Sequence, residues 1–217
     1  MKPYRVASRP RYGAGIWLLC LIATLAPVSA VLAETRPGAA QAQQFIADLG
    51  AEAVRVLRQP NLSLEQRETI FRGMLAQKFD LEFIGRFVLG RNWQAATPDQ
   101  REEYQALFAE FVLRSYSRLL GGYVDEQLTV QGAREAGQRD VIVYSRISGS
   151  SNQPVQSLWR LRLINGQPRI IDVAAAGVSL SITQREEFAA VISRNGLEGL
   201  LEMLRARTLT LSAEGPR

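Results

Sequence analysis

Histidine is absent from this chain of 217 residues, and cysteine occurs only once, at Cys20. A chain without histidine cannot build a Ser-His-Asp or Cys-His catalytic arrangement, and it lacks the usual zinc ligands. A lone cysteine cannot form an intrachain disulfide, so packing alone has to hold the fold together. The composition argues against an enzyme. We therefore predict no catalytic residue, no metal site and no cofactor.

The first 33 residues are predicted to be a secretory signal peptide. The chain opens with four basic residues, Lys2, Arg5, Arg9 and Arg11. An apolar run from Ala14 to Ala26 follows, which is shorter than the roughly 20 residues that a membrane-spanning helix needs. The small residue Ala33 closes the segment, as at a signal-peptidase site. We expect cleavage after Ala33 and location of the mature protein in the periplasm.

Export would remove much of the positive charge of the chain. The segment holds four of the 26 basic residues and none of the 21 acidic ones, so residues 34–217 carry 22 basic and 21 acidic residues, a net charge of +1. Nucleic-acid-binding domains are usually strongly basic. We therefore predict no nucleic-acid partner.

The remaining residues are long enough for one domain with a sizeable core. Residues 34–43 are small and polar, and we interpret them as a flexible leader. Residues 44–207 carry the regular hydrophobic patterns and are predicted to form the single domain. Residues 208–217 are interpreted as a C-terminal tail.

Apolar residues recur at helical spacing in the first half of the domain. Four helices are predicted, and each start or end is marked by a capping residue or a helix breaker. They begin at Phe45, after Ser63, after Asp80 and after Thr97. The last of them runs to about Leu120 and has a wide face of aromatic and aliphatic residues.

The pattern then alternates with a period of two, which is typical of strands. Asn165-Gly166 lies between two apolar runs and predicts a tight hairpin. Four strands are predicted near residues 126–132, 139–148, 155–164 and 169–175, joined by loops that include 132–138. Arginines on alternate positions indicate that one face of the sheet is wet.

Two further helices are predicted at the C-terminal end. Thr183 and Glu186 have the spacing of a capping box, and Asn195-Gly196 should separate the first of these helices from the second. Helices, then a meander of strands, then helices make an α+β domain with the helices packed on one face of the sheet.

Two blocks of sequence resemble one known family. The first block is Phe79-Asp80 with Val88-Leu89-Gly90-Arg91-Asn92-Trp93 and Ala96-Thr97-Pro98-Asp99-Gln100-Arg101. The second is Asp172-Val173 with Gly177-Val178-Ser179-Leu180, Arg185 and Glu187-Phe188. In order and spacing, both are similar to the MlaC family, also called the toluene-tolerance or ABC-transporter auxiliary-component family. The resemblance implies a curved four-stranded antiparallel meander sheet whose covering helices enclose an apolar pocket.

This resemblance also implies a function and partners. Family members are periplasmic phospholipid carriers that maintain outer-membrane lipid asymmetry. They hold the acyl chains in the pocket and pass lipid between an outer-membrane lipoprotein–porin complex and an inner-membrane ABC transporter with a ring of MCE domains. One branch of the family is associated with hopanoids, so a hopanoid is an alternative cargo.

Large side chains that face a curved sheet can prop open a cavity, although a single residue of this kind is far more often an ordinary core residue. The predicted lipid-binding residues lie on the long helix, on the elements before it and on the apolar face of the sheet. They are Phe83, Phe87, Trp93, Tyr104, Phe108, Phe111, Tyr116, Val141, Val143, Trp159, Leu161, Ile171 and Val173.

Two functions of other classes remain open at this point. Small α+β domains can host isomerases or dehydratases, but those enzymes usually place Asp, His or Tyr in the pocket, and this chain has no histidine. A periplasmic chaperone or adaptor that binds only protein would instead have an exposed apolar groove. A closed apolar cavity would favour the lipid carrier.

Overall fold

The computed structural model describes residues 36–123, 125–149 and 153–213. The predicted signal peptide and the last four residues of the predicted tail lie outside the described residues, so cleavage after Ala33 stays a prediction. None of the helices in the described ranges combines the length and the hydropathy that a membrane crossing requires.

Helices precede and follow an antiparallel sheet, so the α+β class is confirmed. The helices are α1 (Ala39–Leu57), α2 (Leu64–Lys78), α3 (Leu81–Leu89), α4 (Asn92–Ala95), α5 (Pro98–Gly121) and α6 (Leu180–Ala213). The strands are β1 (Gln127–Ala136), β2 (Asp140–Ser148), β3 (Val155–Ile164), β4 (Gln167–Ala175) and β5 (Val178–Ser179).

Side-chain caps start three of the helices at the predicted positions. The hydroxyl of Ser63 accepts the backbone N–H of Gln66 at 3.2 Å, and the Gln66 side chain accepts the Ser63 N–H at 2.8 Å. Thr97 begins α5 with the same reciprocal pair, and the Asp80 carboxylate accepts the N–H of Phe83 at 2.8 Å. These bonds satisfy donors that a helix N-terminus otherwise leaves unpaired.

The predicted ends of the domain need two corrections. Helix α1 begins at Ala39, inside the predicted leader, because Ala42 is fully buried against the sheet. Helix α6 continues to Ala213 through the predicted tail, and Thr208 is buried there with its hydroxyl bonded to the carbonyl of Leu204. In both places polar composition was a poor guide, because each segment contains a residue that is buried in the fold.

The start of α6 was also predicted wrongly. Its cap is the Ser179 hydroxyl, which accepts the N–H of Ile182 at 3.1 Å, while Thr183 donates its hydroxyl to the Ser179 carbonyl. The predicted break is confirmed, since Gly196 has a φ of 70° within α6. The short helix α4 has too few residues to show a period and was missed.

Consecutive antiparallel strands form the sheet in the order β1-β2-β3-β4-β5. The Asn165-Gly166 hairpin is confirmed, and both residues have the positive φ that a type I′ turn requires. Two differences from the prediction are a short fifth strand and a β1 that runs on to Ala136 instead of ending near Gly132. A register irregularity between Val130 and Gly132 lets the pairing of β1 with β2 continue through the predicted loop.

The two faces of the sheet differ in chemistry. Helix α1 packs on the face that carries Val141 and Val143. On the other face Asp140 is only 2% exposed and accepts hydrogen bonds from Arg162 at 2.6 and 3.0 Å and from Arg160 at 2.8 Å. The wet face predicted there is confirmed for Arg160, which is exposed, whereas Arg162 is only 15% exposed and stacks on the Phe83 ring at 4.7 Å.

A separate hydrophobic cluster joins α3, α5 and α6. At its centre Tyr104 and Phe108 stack at 5.7 Å, and both meet the edge of Phe188 from α6. Tyr104 is fully buried and donates its hydroxyl to the carbonyl of Gly85 at 3.0 Å. This bond ties α5 to α3.

We expect Tyr104→Phe to lower the free energy of unfolding by about 1–3 kcal/mol, because the Gly85 carbonyl loses its buried donor. Burial raises the pKa of Tyr104 far above its ordinary 10.0. Its contribution to stability should therefore be constant below about pH 10 and fall above it, where only the unfolded chain ionises. Urea unfolding at neutral and alkaline pH measures both effects. Tyr144→Phe, at a half-buried hydroxyl bonded to Arg134, is the control, and an equal loss in both variants would contradict this account.

Candidate lipid cavity

A cavity of about 130 Å³ lies between α1, α2, the end of α5 and the apolar face of the sheet. Its wall is almost entirely apolar. The lining residues are Leu49, Gly50, Ala53, Val54, Leu57, Phe71, Met74, Leu75, Phe79, Leu120, Tyr123, Glu126, Gln127, Leu128, Ile147 and Trp159.

Helix α1 contributes one wall through residues that recur on one side of the helix. Two of them, Gly50 and Ala53, are small and leave room beside the larger Leu49 and Leu57. Gly50 also allows a close approach of α1 to β1, since a Cβ added there would lie 3.0 Å from the Cβ of Leu128. The spacing of small and large residues on α1 thus shapes the space above the sheet.

Trp159 forms part of the floor and is held by buried hydroxyls. Its indole N–H donates to the Ser145 hydroxyl at 2.8 Å, and that hydroxyl lies 2.7 Å from the hydroxyl of Ser157. Both serines are at most 1% exposed. Because the indole donor is satisfied by the sheet, the Trp159 ring is fixed in orientation and adds apolar surface to the cavity.

The polar members of the lining gather at one end. Tyr123, Glu126 and Gln127 lie where α5 leads into β1, and Glu126 also accepts the backbone N–H of Asp125 at 3.2 Å. The cavity therefore has an apolar interior and a polar end. Across the described ranges, no three acidic or cysteine side chains come together as a metal site would require.

The cavity also interrupts the hydrophobic core. On one side, Ile46 of α1 packs with Val143 and Leu161 of the sheet. On the other, Leu57 of α1 packs with Phe71 and other residues of α2. The lining draws on both clusters, so the cavity occupies the gap between them.

Of the predicted lipid-binding residues, Trp159 lines the cavity. Val141, Val143, Leu161 and Val173 lie on the same face of the sheet as Trp159 but pack with α1 in the adjoining cluster. The predicted sharing of one face by these five residues is confirmed by the strand register, in which Val143 pairs with Trp159 and Val141 pairs with Leu161.

The strand register does not pair Ile171, so its assignment to this face stays a prediction. A register irregularity in β3–β4 pairs Arg160 with Asp172 but Leu161 with Ile170, so Ile171 has no partner of its own. Ile170 is the residue that joins the cluster. A strict period of two cannot anticipate such an irregularity.

The prediction that the long helix covers the sheet is also wrong. Helix α5 packs on α2, α3 and α6, and α1 covers the sheet instead. The predicted residues Phe83, Trp93, Tyr104, Phe108 and Phe111 belong to, or pack against, the helical cluster around Phe188 and do not line the cavity. Buried residues of α6, among them Phe188 and Leu200, cover the aromatic face of α5 in place of the sheet.

Two further aromatic residues lie apart from the cavity. Phe87 is 37% exposed and lies under the guanidinium of Arg185 at 5.1 Å. Tyr116 faces α6, where burial, and secondarily the charge of Glu187, raises the pKa of its hydroxyl. Neither residue is in the lining.

The residues missing from the prediction lie mainly on α1 and α2. Their apolar period was recognised as helical, but none of them was included among the predicted lipid-binding residues. The signal that distinguishes them is the pair of small residues, Gly50 and Ala53, in the middle of an otherwise bulky apolar stripe. Such a pair on a core-facing stripe indicates either close helix packing or free space, and here it provides both.

The family whose description is MlaC protein matches residues 48–206, which is most of the chain. The chain belongs to the MlaC family. The cavity lining falls entirely within the matched residues. Both blocks from which the resemblance was inferred also lie there.

Two named relatives of this MlaC-family chain are bacterial proteins. The intermembrane phospholipid transport system binding protein MlaC of Haemophilus influenzae is 24% identical over 177 residues, which cover 78% of this chain and 81% of that protein. The toluene tolerance protein ttg2D of Pseudomonas putida is 24% identical over 182 residues, which cover 82% of each.

A solved protein structure also shares this fold. It is the phospholipid-binding protein from Ralstonia solanacearum in complex with a phospholipid. It has 26% sequence identity and a TM-score of 0.66, and the match covers 81% of this chain and 99% of that one.

Proposed function

We propose that this protein is a periplasmic phospholipid carrier that shuttles lipid between outer-membrane and inner-membrane transport complexes and performs no chemistry on it. The observation that carries the proposal is an apolar cavity with one polar end, in a fold shared with a protein that was solved in complex with a phospholipid. The Haemophilus influenzae relative is named as the binding protein of an intermembrane phospholipid transport system.

The energetics of the cargo agree with this proposal. A buried methylene is worth about 0.8 kcal/mol, so two acyl chains of roughly 30 methylenes would lose about 24 kcal/mol in water. A carrier has to enclose both chains almost completely. The acyl chains would enter the space between α1, α2 and the sheet. The polar end at Glu126 and Gln127 is where the headgroup would meet water.

We expect protein purified without detergent from the periplasmic fraction to carry about one diacyl lipid per chain. Organic extraction followed by mass spectrometry identifies the lipid and separates a phospholipid from a hopanoid. Sequencing of the N-terminus in the same sample should begin at Glu34 or within a few residues. A protein that is reproducibly empty and takes up no lipid from vesicles would instead support a chaperone or adaptor.

A further inference from the structure

Basic residues are concentrated on the face of the sheet that α1 leaves uncovered. Paired residues on neighbouring strands project to the same side, and residues alternate sides along a strand. The pairs Arg134–Ile142, Ile142–Arg160 and Arg162–Arg169 therefore share one side. The arginine face consists of Arg134, Arg146, Arg160, Arg162 and Arg169. Its exposed members are Arg134, Arg146 and Arg160, whereas Arg162 is only 15% exposed beside Phe83.

Two acidic residues share this side, so the arginine face has a net charge of +3. Asp140 is buried between Arg160 and Arg162. Asp172 accepts the Ser179 hydroxyl at 2.7 Å and the Ser181 N–H at 3.2 Å, so its carboxylate is turned toward the start of α6. Neither carboxylate neutralises the exposed arginines Arg134 and Arg146.

The rest of the described domain is close to neutral. The described residues include 21 basic and 19 acidic ones, and without the arginine face and its two aspartates they include 16 and 17. The described part of the protein is therefore polarised, with a positive sheet face and a nearly neutral remainder. Such an asymmetry orients a molecule toward an anionic surface before contact.

We propose that the arginine face docks the carrier on an anionic phospholipid bilayer. The inference rests on the proposed function, because a lipid carrier has to approach membranes. A guanidinium fork suits phosphate oxygens. Four strands set the arginines across about 14 Å, which matches the spread-out charge of a bilayer surface.

The residues between the arginines favour a bilayer over an acidic protein. Ile142, Tyr144 and Leu158 are half-buried on the same face, and the Arg134 guanidinium lies 5.9 Å from the Tyr144 ring centre. Tyrosine and aliphatic side chains beside basic residues are typical of surfaces that enter the headgroup region of a membrane. Docking by this face would leave α1 and the cavity on the opposite side of the sheet from the bilayer.

The test is co-sedimentation of protein from the periplasmic fraction with two kinds of vesicle. One is phosphatidylcholine alone, and the other has equal parts of phosphatidylcholine and phosphatidylglycerol. We expect binding to the second kind only, weakened by added salt. Equal binding to both kinds of vesicle would overturn the proposal. Failure to bind either kind would overturn it as well.

Two double variants with the same change in net charge locate the contact. Arg134→Gln with Arg146→Gln should weaken partition to the anionic vesicles by about tenfold, since each basic residue near such a surface contributes substantially. Arg55→Gln with Arg194→Gln removes two exposed arginines from helices and should change partition by less than about twofold. Circular dichroism checks that all variants fold. Equal losses in both double variants would overturn the assignment to the arginine face.

Lipid extraction from the same preparations distinguishes failure of the docking hypothesis from failure of the carrier hypothesis. Protein that carries lipid but does not bind anionic vesicles would refute the docking site and leave the carrier function intact. Protein that binds through the arginine face but never contains lipid would refute the carrier function alone.

Discussion

Protein with Ala53→Trp should be folded and should contain almost no co-purified lipid. Ala53 lies on the cavity wall formed by α1, close to Leu120 and Tyr123. An indole at this position would occupy the space that the acyl chains need, at a cost in stability of about 1–3 kcal/mol. We expect lipid content to fall at least about tenfold, since the favourable burial of many methylenes is lost. Mass spectrometry of extracted lipid against protein concentration measures this.

The matched control is Ala51→Trp, on the exposed side of the same helix. It adds the same side chain without entering the cavity, so lipid content should equal that of the natural protein. Circular dichroism and thermal unfolding show whether either variant has lost its fold. Normal lipid content in folded Ala53→Trp would mean that the lipid is bound elsewhere.

The second large effect is expected from Asp140→Asn, which should lower the free energy of unfolding by about 3–5 kcal/mol. Asp140 is buried, and its two oxygens accept three hydrogen bonds from Arg160 and Arg162. The amide keeps the shape but removes the charge, so the side chain of Arg162, which is only 15% exposed, loses its counter-ion. Denaturant unfolding measures the loss.

Glu198→Gln serves as the control, because Glu198 pairs with Arg205 at the surface at 3.0 Å. An exposed pair of this kind contributes less than about 1 kcal/mol. If both substitutions lower the free energy of unfolding equally, the burial of Asp140 does not strengthen its contribution to stability.

Acidification should reproduce part of this effect in the natural protein. Burial alone would raise the pKa of Asp140, but the hydrogen bonds and charges of Arg162 and Arg160 outweigh it and hold the pKa below its usual 3.8. The stabilisation is therefore present above about pH 4 and is lost as the pH falls through the lowered value. Asp140→Asn should flatten this acid limb of the stability curve.

Much of the fold was predictable because local chemistry decides it. Ser63, Asp80 and Thr97 begin their helices with their own side chains, and Asn165-Gly166 makes its turn regardless of distant contacts. The helical state of Ala39 and Thr208 was not predicted, because it depends on contacts with distant parts of the chain. Near Ala39 the buried residue is Ala42, and at the C-terminal end it is Thr208 itself.

The cavity was harder to predict than the helices and strands. Periodicity gives the apolar face of α5 correctly, with Tyr104 and Phe108 on it, but it cannot say which element covers that face. Both α6 and the sheet present suitable apolar surfaces, and only their arrangement in space selects α6. Trp159 was assigned to the lining because it shares the sheet face, whereas Leu49 and Ala53 required knowledge that α1 lies above it.

The gap between the two clusters that meet at α1 has a consequence for how the carrier releases its cargo. Without lipid, the side chains of Leu49, Leu57 and Leu128 lack part of the contacts that a continuous core would give them. Acyl chains in the gap would supply these missing apolar contacts, so the lipid-bound protein should be more stable than the empty protein. An acceptor that takes the lipid therefore has to bind it strongly enough to offset the stability that the carrier loses on unloading.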